Sequence, residues 1–187
     1  LSAVMDQAAL SLAQELIAQQ STAAQRIAVN IATASFADEN WCRWLQDICS
    51  ERLPLAGKLA LEFSEADLHE ADAKVRKTLL SLRQAGVQTG IDQFGLHPAA
   101  VRLLRDIVPS YLKIDPQLLQ QAMQEESWRT HLQAIVQLAS AMDIPVIAQK
   151  LENEAMLQFA RECGLVAGQG FYLAEPVSVQ RAFRPYL

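Results

Sequence analysis

The stretch GVQTGIDQFGLHPAAVRLLRDIVPSYLKIDP, residues 86–116, decides the fold of this 187-residue chain. It begins with a glycine suited to ending a helix, continues with a strand over residues 87–92 and a helix, and closes with a strand over residues 111–114. Asp115 and Pro116 then cap and start the next helix. Short apolar strands joined by helices are typical of parallel βαβ units. The stretch therefore predicts an α/β fold.

The same alternation continues in both directions from this stretch. Further strands are predicted at residues 26–31, 58–63, 145–148 and 166–170. Further helices are predicted at residues 2–19, 38–52, 66–85, 127–142 and 153–163, with another opened by Pro98. In the first helix, Val4, Ala8, Leu12 and Leu16 repeat at helical spacing. The chain thus contains about six strands with helical connections throughout.

Two architectures fit this order of elements, an open doubly wound sheet and an eight-stranded barrel. A doubly wound sheet usually carries a glycine-rich first turn, and this sequence has none. A complete barrel usually needs about 200 residues or more, and this chain is slightly shorter and starts on a helix. We therefore expect a TIM-like (β/α) barrel whose first strand is missing from this chain, with residues 1–187 forming one domain.

Composition excludes several classes of protein. Hydrophobic residues make up 51% and charged residues 20%, as in a globular domain, and the net charge of −5 argues against general nucleic-acid binding. Cys42, Cys49 and Cys163 are expected to be free thiols in a reducing cytosol. No apolar run reaches the roughly 18 residues of a membrane helix, and no signal peptide is predicted. The histidines are interpreted as surface residues and the tryptophans as packing groups.

Polar residues follow nearly every predicted strand. These are Asn30, Glu65, Asp92, Lys113, Gln149 and Gln169. In α/β barrels the carboxyl ends of the strands converge on one mouth, where the active site lies. The mixture suits hard-cation coordination together with phosphate contact. A single acidic residue after a strand is more often a helix cap, which is how Asp115 is interpreted, whereas Lys113 inside an apolar strand needs an acidic partner or access to water.

Six short motifs carry a family resemblance in the expected order. They are Val29-Asn30-Ile31, Leu61-Glu62-Phe63-Ser64-Glu65, Ile91-Asp92-Gln93-Phe94-Gly95, Tyr111-Leu112-Lys113-Ile114-Asp115, Ile147-Ala148-Gln149-Lys150-Leu151-Glu152 and Gly168-Gln169-Gly170-Phe171. Together they resemble the motifs of the EAL domain, the fold of cyclic di-GMP phosphodiesterases. The similarity covers essentially the whole chain.

The resemblance implies a set of site residues. In active members two divalent cations, magnesium or manganese, activate the water that cleaves one phosphodiester bond. It assigns metal-ligand positions to Asn30, Glu65 and Asp92, and it puts Lys113 beside the nucleophilic water. Gln169 becomes a polar contact. The expected ligand-binding residues are Asp92, Lys113, Gln169 and Glu152.

The chain departs from the family pattern at two of its ligand positions. Gln93 stands where the family has the second aspartate of Asp-Asp-Phe-Gly, and Gln149 stands where it has the first glutamate of Ala-Glu-Gly-Val-Glu. Lys150 replaces the glycine of that motif, and the loop at residues 96–100 is altered. Losing two carboxylates weakens the binding of divalent ions. We therefore expect no bound metal and no intact catalytic set, of which Lys113 is a remnant.

These observations lead to three hypotheses for function. The first is a catalytically inactive EAL domain that acts as a cyclic di-GMP receptor and signals to a protein partner. The second is an active phosphodiesterase with an unusual metal site, and the third is a protein-interaction module without nucleotide binding. The sequence resembles membrane-bound biofilm regulators, which implies a cytoplasmic domain of an inner-membrane protein. Nucleic acid is not an expected partner, and homodimerisation stays open.

Overall fold

The computed structural model describes residues 1–19, 26–51 and 57–176, through which helices and strands alternate. The strands are β1 Ile27–Asn30, β2 Leu59–Ser64, β3 Gln88–Phe94, β4 Tyr111–Ile114, β5 Val146–Ala148 and β6 Ala167–Gly168. The helices are α1 Ser2–Gln19, α2 Glu39–Glu51, α3 Glu65–Glu70, α4 Ala73–Gln84, α5 Ala100–Ile107, α6 Pro116–Gln124, α7 Glu126–Ala141 and α8 Glu154–Glu162, with a 3₁₀ helix at Thr33–Ala37. The strand order in the sheet follows the chain order. The predicted α/β alternation is therefore confirmed.

The chain divides into two compact units, Leu1–Gly90 and Ile91–Leu187. In the first unit, β1 and β2 are parallel, with Ile27 opposite Leu59 and Asn30 opposite Glu62. In the second unit, β4 is parallel to β5 and β5 to β6. Parallel strands buried on both faces are rich in branched apolar residues, as β2 is. The pairing brings polar strand ends together within each unit.

Helix α1 forms where predicted, and its buried face differs from the apolar stripe noted in the sequence. Its buried residues are Asp6, Leu10, Ala13 and Ile17. Val4 and Leu12, which belong to the stripe noted in the sequence, are 68% and 47% exposed. The helix is apolar on two sides, so helical spacing alone fits either stripe.

The single helix predicted over residues 66–85 is wrong, because the chain forms two helices there. Helix α3 ends at Glu70, and Asp72 caps α4 by accepting a hydrogen bond from the backbone N–H of Val75 at 2.9 Å. Aspartate favours such a cap because its side-chain oxygen satisfies a helix N–H that otherwise lacks a partner. Gly86 follows α4 with a φ of 84°, as predicted for a helix stop.

Caps also fix the helix starts of the second unit. The side chain of Asp115 accepts a hydrogen bond from the N–H of Gln117 at 2.7 Å, and that of Asn153 accepts one from Met156 at 2.9 Å. Both caps were predicted. Pro98 lies in the turn before α5 rather than in its first helical turn, because that helix begins at Ala100. Strand β6 is shorter than the predicted range of residues 166–170.

The three cysteines are free thiols and Trp41 is a packing group, both as expected. All three cysteines are free and buried. Trp41 is buried and meets the ring of Phe36 edge-on, with the ring centroids 4.9 Å apart. In the part of the chain that the structure describes, no helix has the length and apolar character to cross a membrane.

Candidate functional site

A hydrogen bond between two strand ends of the second unit forms the centre of the candidate site. Gln149, directly after β5, donates from its side-chain Nε2 to Oδ1 of Asp92, near the end of β3. The same Nε2 lies 3.4 Å from the carbonyl oxygen of Ile114 at the end of β4. Three neighbouring strand ends therefore meet at the side chain of Gln149.

Asp92 is also bound by the backbone that follows it. Its Oδ1 accepts a hydrogen bond from the N–H of Gln93 at 2.8 Å. Gln93 has a φ of 54°, in the left-handed region that residues other than glycine adopt at a cost. Its side chain is exposed, whereas Asp92 is half-buried. The carboxylate of Asp92 thus takes two N–H donors from this chain.

Lys113 is buried within its strand, as the sequence indicated. It lies in the middle of β4, is 9% exposed and pairs in register with Ile147 of β5. Burying a lysine is costly unless polar groups surround it. Ile114, the next residue, supplies the carbonyl that lies near Gln149. The structure therefore places Lys113 on the strand beside the Asp92–Gln149 pair.

An open cleft of about 760 Å³ lies beside the ends of β5 and β6. Its lining comprises Gln149, Lys150, Glu152, Gln169, Gly170, Phe171, Ala174, Glu175 and Pro176. Lys150 and Glu152, whose side chains carry opposite charges, are both exposed, and Phe171 is 67% exposed. The cleft thus offers amide groups, one lysine, two carboxylates and an aromatic ring to a ligand.

Leu151 connects the two walls of this cleft through its backbone. Its N–H donates to the carbonyl of Gln169 at 3.0 Å, and its carbonyl accepts from the N–H of Tyr172 at 3.0 Å. A Cβ on Gly170 would lie 2.2 Å from both the nitrogen and the oxygen of Leu151. Only glycine permits this approach, which explains why glycine follows Gln169 here.

Asn30 and Glu65 belong to the first unit, where the structure does not set them opposite each other. Glu65 lies in the first turn of α3, which Ser64 caps, and its Oε1 is 3.7 Å from Nε2 of His69. The residue opposite Asn30 is Glu62 of β2, which is 5% exposed. In the register of this parallel pair, Glu62 rather than Glu65 is therefore the partner of Asn30.

Glu62 is the residue that sequence reasoning did not single out as a site residue. The available signal was its position inside the apolar strand Leu-Ala-Leu-Glu-Phe-Ser. A charged residue there needs a polar neighbour, as was argued for Lys113.

In the first unit, the carboxylate of Asp6 holds the segment that follows Asn30. The carboxylate of Asp6, which is buried in α1, accepts hydrogen bonds from the N–H of Ala32 at 3.0 Å and from the hydroxyl of Ser35 at 2.6 Å. These residues lie in the segment directly after Asn30. Asp6 therefore anchors the turn that leaves β1.

The donor set fits a divalent cation poorly. Within the described residues, no three His, Cys, Asp or Glu side chains gather in a way that could hold a metal ion. At Asp92, Gln149 presents an N–H donor to the carboxylate rather than an oxygen ligand to a cation. Hard cations prefer several oxygen ligands with negative charge.

The chain belongs to the EAL domain family, whose model matches residues 1–176. It is 26% identical to the cyclic di-GMP phosphodiesterase PdeR of Escherichia coli K12 over 165 residues, which are 87% of this chain and 25% of PdeR. The chain therefore spans about a quarter of the length of the curated relatives that it matches.

Two solved structures show the same fold. Vibrio cholerae LapD, as an S helix-GGDEF-EAL chain bound to c-di-GMP, matches with a TM-score of 0.81 and 25% identity over 91% of this chain and 42% of that one. Klebsiella pneumoniae BlrP1, in a manganese and cyclic di-GMP complex, matches with a TM-score of 0.78 and 22% identity over 90% and 43%. The predicted EAL-type (β/α) barrel fold is thereby confirmed.

Proposed function

We propose that this chain is a catalytically inactive EAL domain that binds cyclic di-GMP without a metal ion and signals to a protein partner. The observation that carries the proposal is the hydrogen bond from Gln149 to Asp92. The family resemblance puts a glutamate and an aspartate at these two positions in active members. Here an amide N–H satisfies the carboxylate, a role that a cation between two carboxylates would otherwise fill.

Charge supports the same conclusion. Gln93 and Gln149 remove two negative charges relative to the family pattern, and Lys150 adds a positive charge at the cleft. A site that holds two divalent ions depends on such carboxylates for affinity. Hydrolysis that requires both ions is therefore not expected.

The cleft at the ends of β5 and β6 suits parts of a cyclic dinucleotide. The ammonium group of Lys150 can contact a phosphate, and the amides of Gln149 and Gln169 can hydrogen-bond to ribose or base edges. The exposed ring of Phe171 offers a face on which a guanine can stack. The predicted ligand-binding residues are still Asp92, Lys113, Gln169 and Glu152.

The experiment is a calorimetric titration of the full-length protein with cyclic di-GMP, in EDTA and then in manganese. We expect micromolar binding that is equal in both buffers, and no linear dinucleotide by chromatography. Turnover at about 1 per second or faster would instead support the phosphodiesterase hypothesis. A titration without heat at about 100 μM ligand, far above a micromolar Kd, would leave the protein-interaction hypothesis.

A matched pair of variants tests the role of the two glutamines. Gln93→Asp with Gln149→Glu restores both carboxylates, and we expect manganese to bind to this double variant. The control is Gln137→Glu, which adds a carboxylate on the exposed surface of α7 in the same unit. Manganese binding to the control, or none to the double variant, would contradict the metal-site argument.

A further inference from the structure

The segment Gln93–Gly95, here called the post-β3 turn, directly follows Asp92 and has an unusual backbone. Gln93 has a φ of 54° and Gly95 a φ of 113°. Two left-handed residues within three positions need surrounding structure to hold them. The turn also carries the N–H of Gln93 that binds Asp92. The position of the Asp92 carboxylate therefore depends on how the turn is held.

The post-β3 turn is held by Asp115, between β4 and α6, and by apolar side chains of α6 and α7. The N–H of Asp115 donates to the carbonyl of Phe94 at 3.0 Å. A Cβ on Gly95 would lie 2.7 Å from Cδ2 of Leu118 and 2.9 Å from Cδ1 of Ile135. These apolar side chains pack directly against the glycine, so the turn has no free space beside Gly95.

Helix α7 also holds the turn through His131. Its Nε2 lies 2.8 Å from the carbonyl oxygen of Gly95, 36 residues earlier in the sequence. Because a carbonyl only accepts, Nε2 carries the hydrogen and donates it. Trp128, one turn before His131, meets the imidazole edge-on at a centroid distance of 5.8 Å. Ile135, one turn after it, is the α7 residue that packs on Gly95.

We propose that His131 is a positioning residue, which sets the Asp92 carboxylate for ligand binding by anchoring the post-β3 turn. The inference rests on the proposed function, because the ligand is cyclic di-GMP. The chain of contacts runs from His131 to the carbonyl of Gly95, along the turn to the N–H of Gln93, and from there to Asp92. No sequence pattern indicated this role. His131 was predicted to be a surface residue, and it is exposed in the structure.

The test compares His131→Ala with His131→Gln in the full-length protein. Alanine removes the donor, whereas glutamine keeps a side-chain N–H that can reach the Gly95 carbonyl. Each variant is titrated with cyclic di-GMP, and the backbone amide resonance of Gln93 is followed by NMR. Gln137→Ala, at an exposed position of the same helix, is the matched control. His131→Asn, whose shorter amide falls away from the carbonyl, replaces the alanine variant if that one does not fold.

We expect His131→Ala to shift the Gln93 amide resonance and to raise the Kd about tenfold, which is the effect of losing about 1.4 kcal/mol. His131→Gln and the control should stay within about twofold of the wild-type Kd. An unmoved Gln93 resonance, or an unchanged Kd in a folded alanine variant, would overturn the inference. If the wild-type protein binds no cyclic di-GMP, the proposed function fails, and the Gln93 resonance alone then decides whether His131 positions the turn.

Discussion

The side-chain amide of Gln149 binds the carboxylate of Asp92 across 57 residues of sequence. The bond joins the end of β5 to the end of β3, with β4 between them in the strand order. A neutral donor thus satisfies a carboxylate at the position where the family pattern expects a second acid. The chain itself therefore supplies a hydrogen-bond donor to the Asp92 carboxylate.

Gln149→Glu should destabilise the domain at neutral pH. The substitution removes the N–H donor and sets a second carboxylate against Asp92, which we expect to cost about 1–3 kcal/mol. The free energy of unfolding from urea titration measures the loss, with Gln137→Glu as control. Manganese should restore part of the loss in Gln149→Glu only, since a cation between the carboxylates relieves their repulsion. Equal stability of Gln149→Glu and wild type would contradict this account.

Asp6→Ala should destabilise the protein, because the buried Asp6 carboxylate accepts two hydrogen bonds. The substitution leaves the N–H of Ala32 and the hydroxyl of Ser35 without their charged acceptor, at a cost of about 2–4 kcal/mol. Ser35→Ala removes one of the two bonds and should cost about 1 kcal/mol. Glu15→Ala, an exposed acid on the same helix, is the control for lost charge. Thermal and urea unfolding of the three variants gives the comparison, and similar losses for Asp6→Ala and Glu15→Ala would refute it.

Gly170→Ala should disrupt the cleft at the ends of β5 and β6. The new Cβ would lie 2.2 Å from backbone atoms of Leu151, which no rotamer change relieves. We expect a loss of more than about 3 kcal/mol, above the usual range for overpacking. Gly57→Ala is the matched control, because a Cβ there meets nothing within 4 Å. Circular dichroism with urea unfolding distinguishes the variants, and a Gly170→Ala protein as stable as wild type would contradict the close approach of Leu151 to Gly170.

Alkaline pH should reveal the burial of Cys49. Burial raises the pKa of this thiol from 9.0 to about 11. Between these values the unfolded chain loses the thiol proton while the folded chain keeps it, so the contribution of Cys49 to stability is full below pH 9 and is lost as pH rises through 11. The stability difference between wild type and Cys49→Ala should therefore fall over this window. A difference that stays constant there would contradict the assigned burial.

Local chemistry accounts for the parts of the fold that the sequence predicted well. Asp115, Asn153 and Gly86 act within a few residues of their own positions, so their caps and stops are encoded locally. The buried face of α1 is set instead by what packs on it. Spacing alone indicated Val4 and Leu12, whereas the packed structure buries Leu10 and Ile17.

The residues at the strand ends of the candidate site could be predicted from the sequence, but the contacts between distant segments could not. Asp92 and Gln149 could be expected together because the carboxyl ends of the strands in an α/β barrel converge on one mouth. Register made Glu62 rather than Glu65 the neighbour of Asn30, and register depends on pairing between distant segments. The contact from His131 to Gly95 joins a helix surface to a turn 36 residues away, and no local pattern encodes it.

Partial opening of the cleft can be measured by hydrogen–deuterium exchange, because the backbone of Leu151 hydrogen-bonds to both cleft walls. The amide of Leu151 donates to the carbonyl of Gln169, and the amide of Tyr172 donates to the carbonyl of Leu151. Both hydrogen bonds break when the two cleft walls separate. The deuterium uptake of the two amides should then follow one shared rate, distinct from amides that exchange only when the whole domain unfolds. A nucleotide bound in the cleft would slow deuterium exchange at both amides. The exchange rate of Leu151 and Tyr172 would therefore report whether the cleft is occupied.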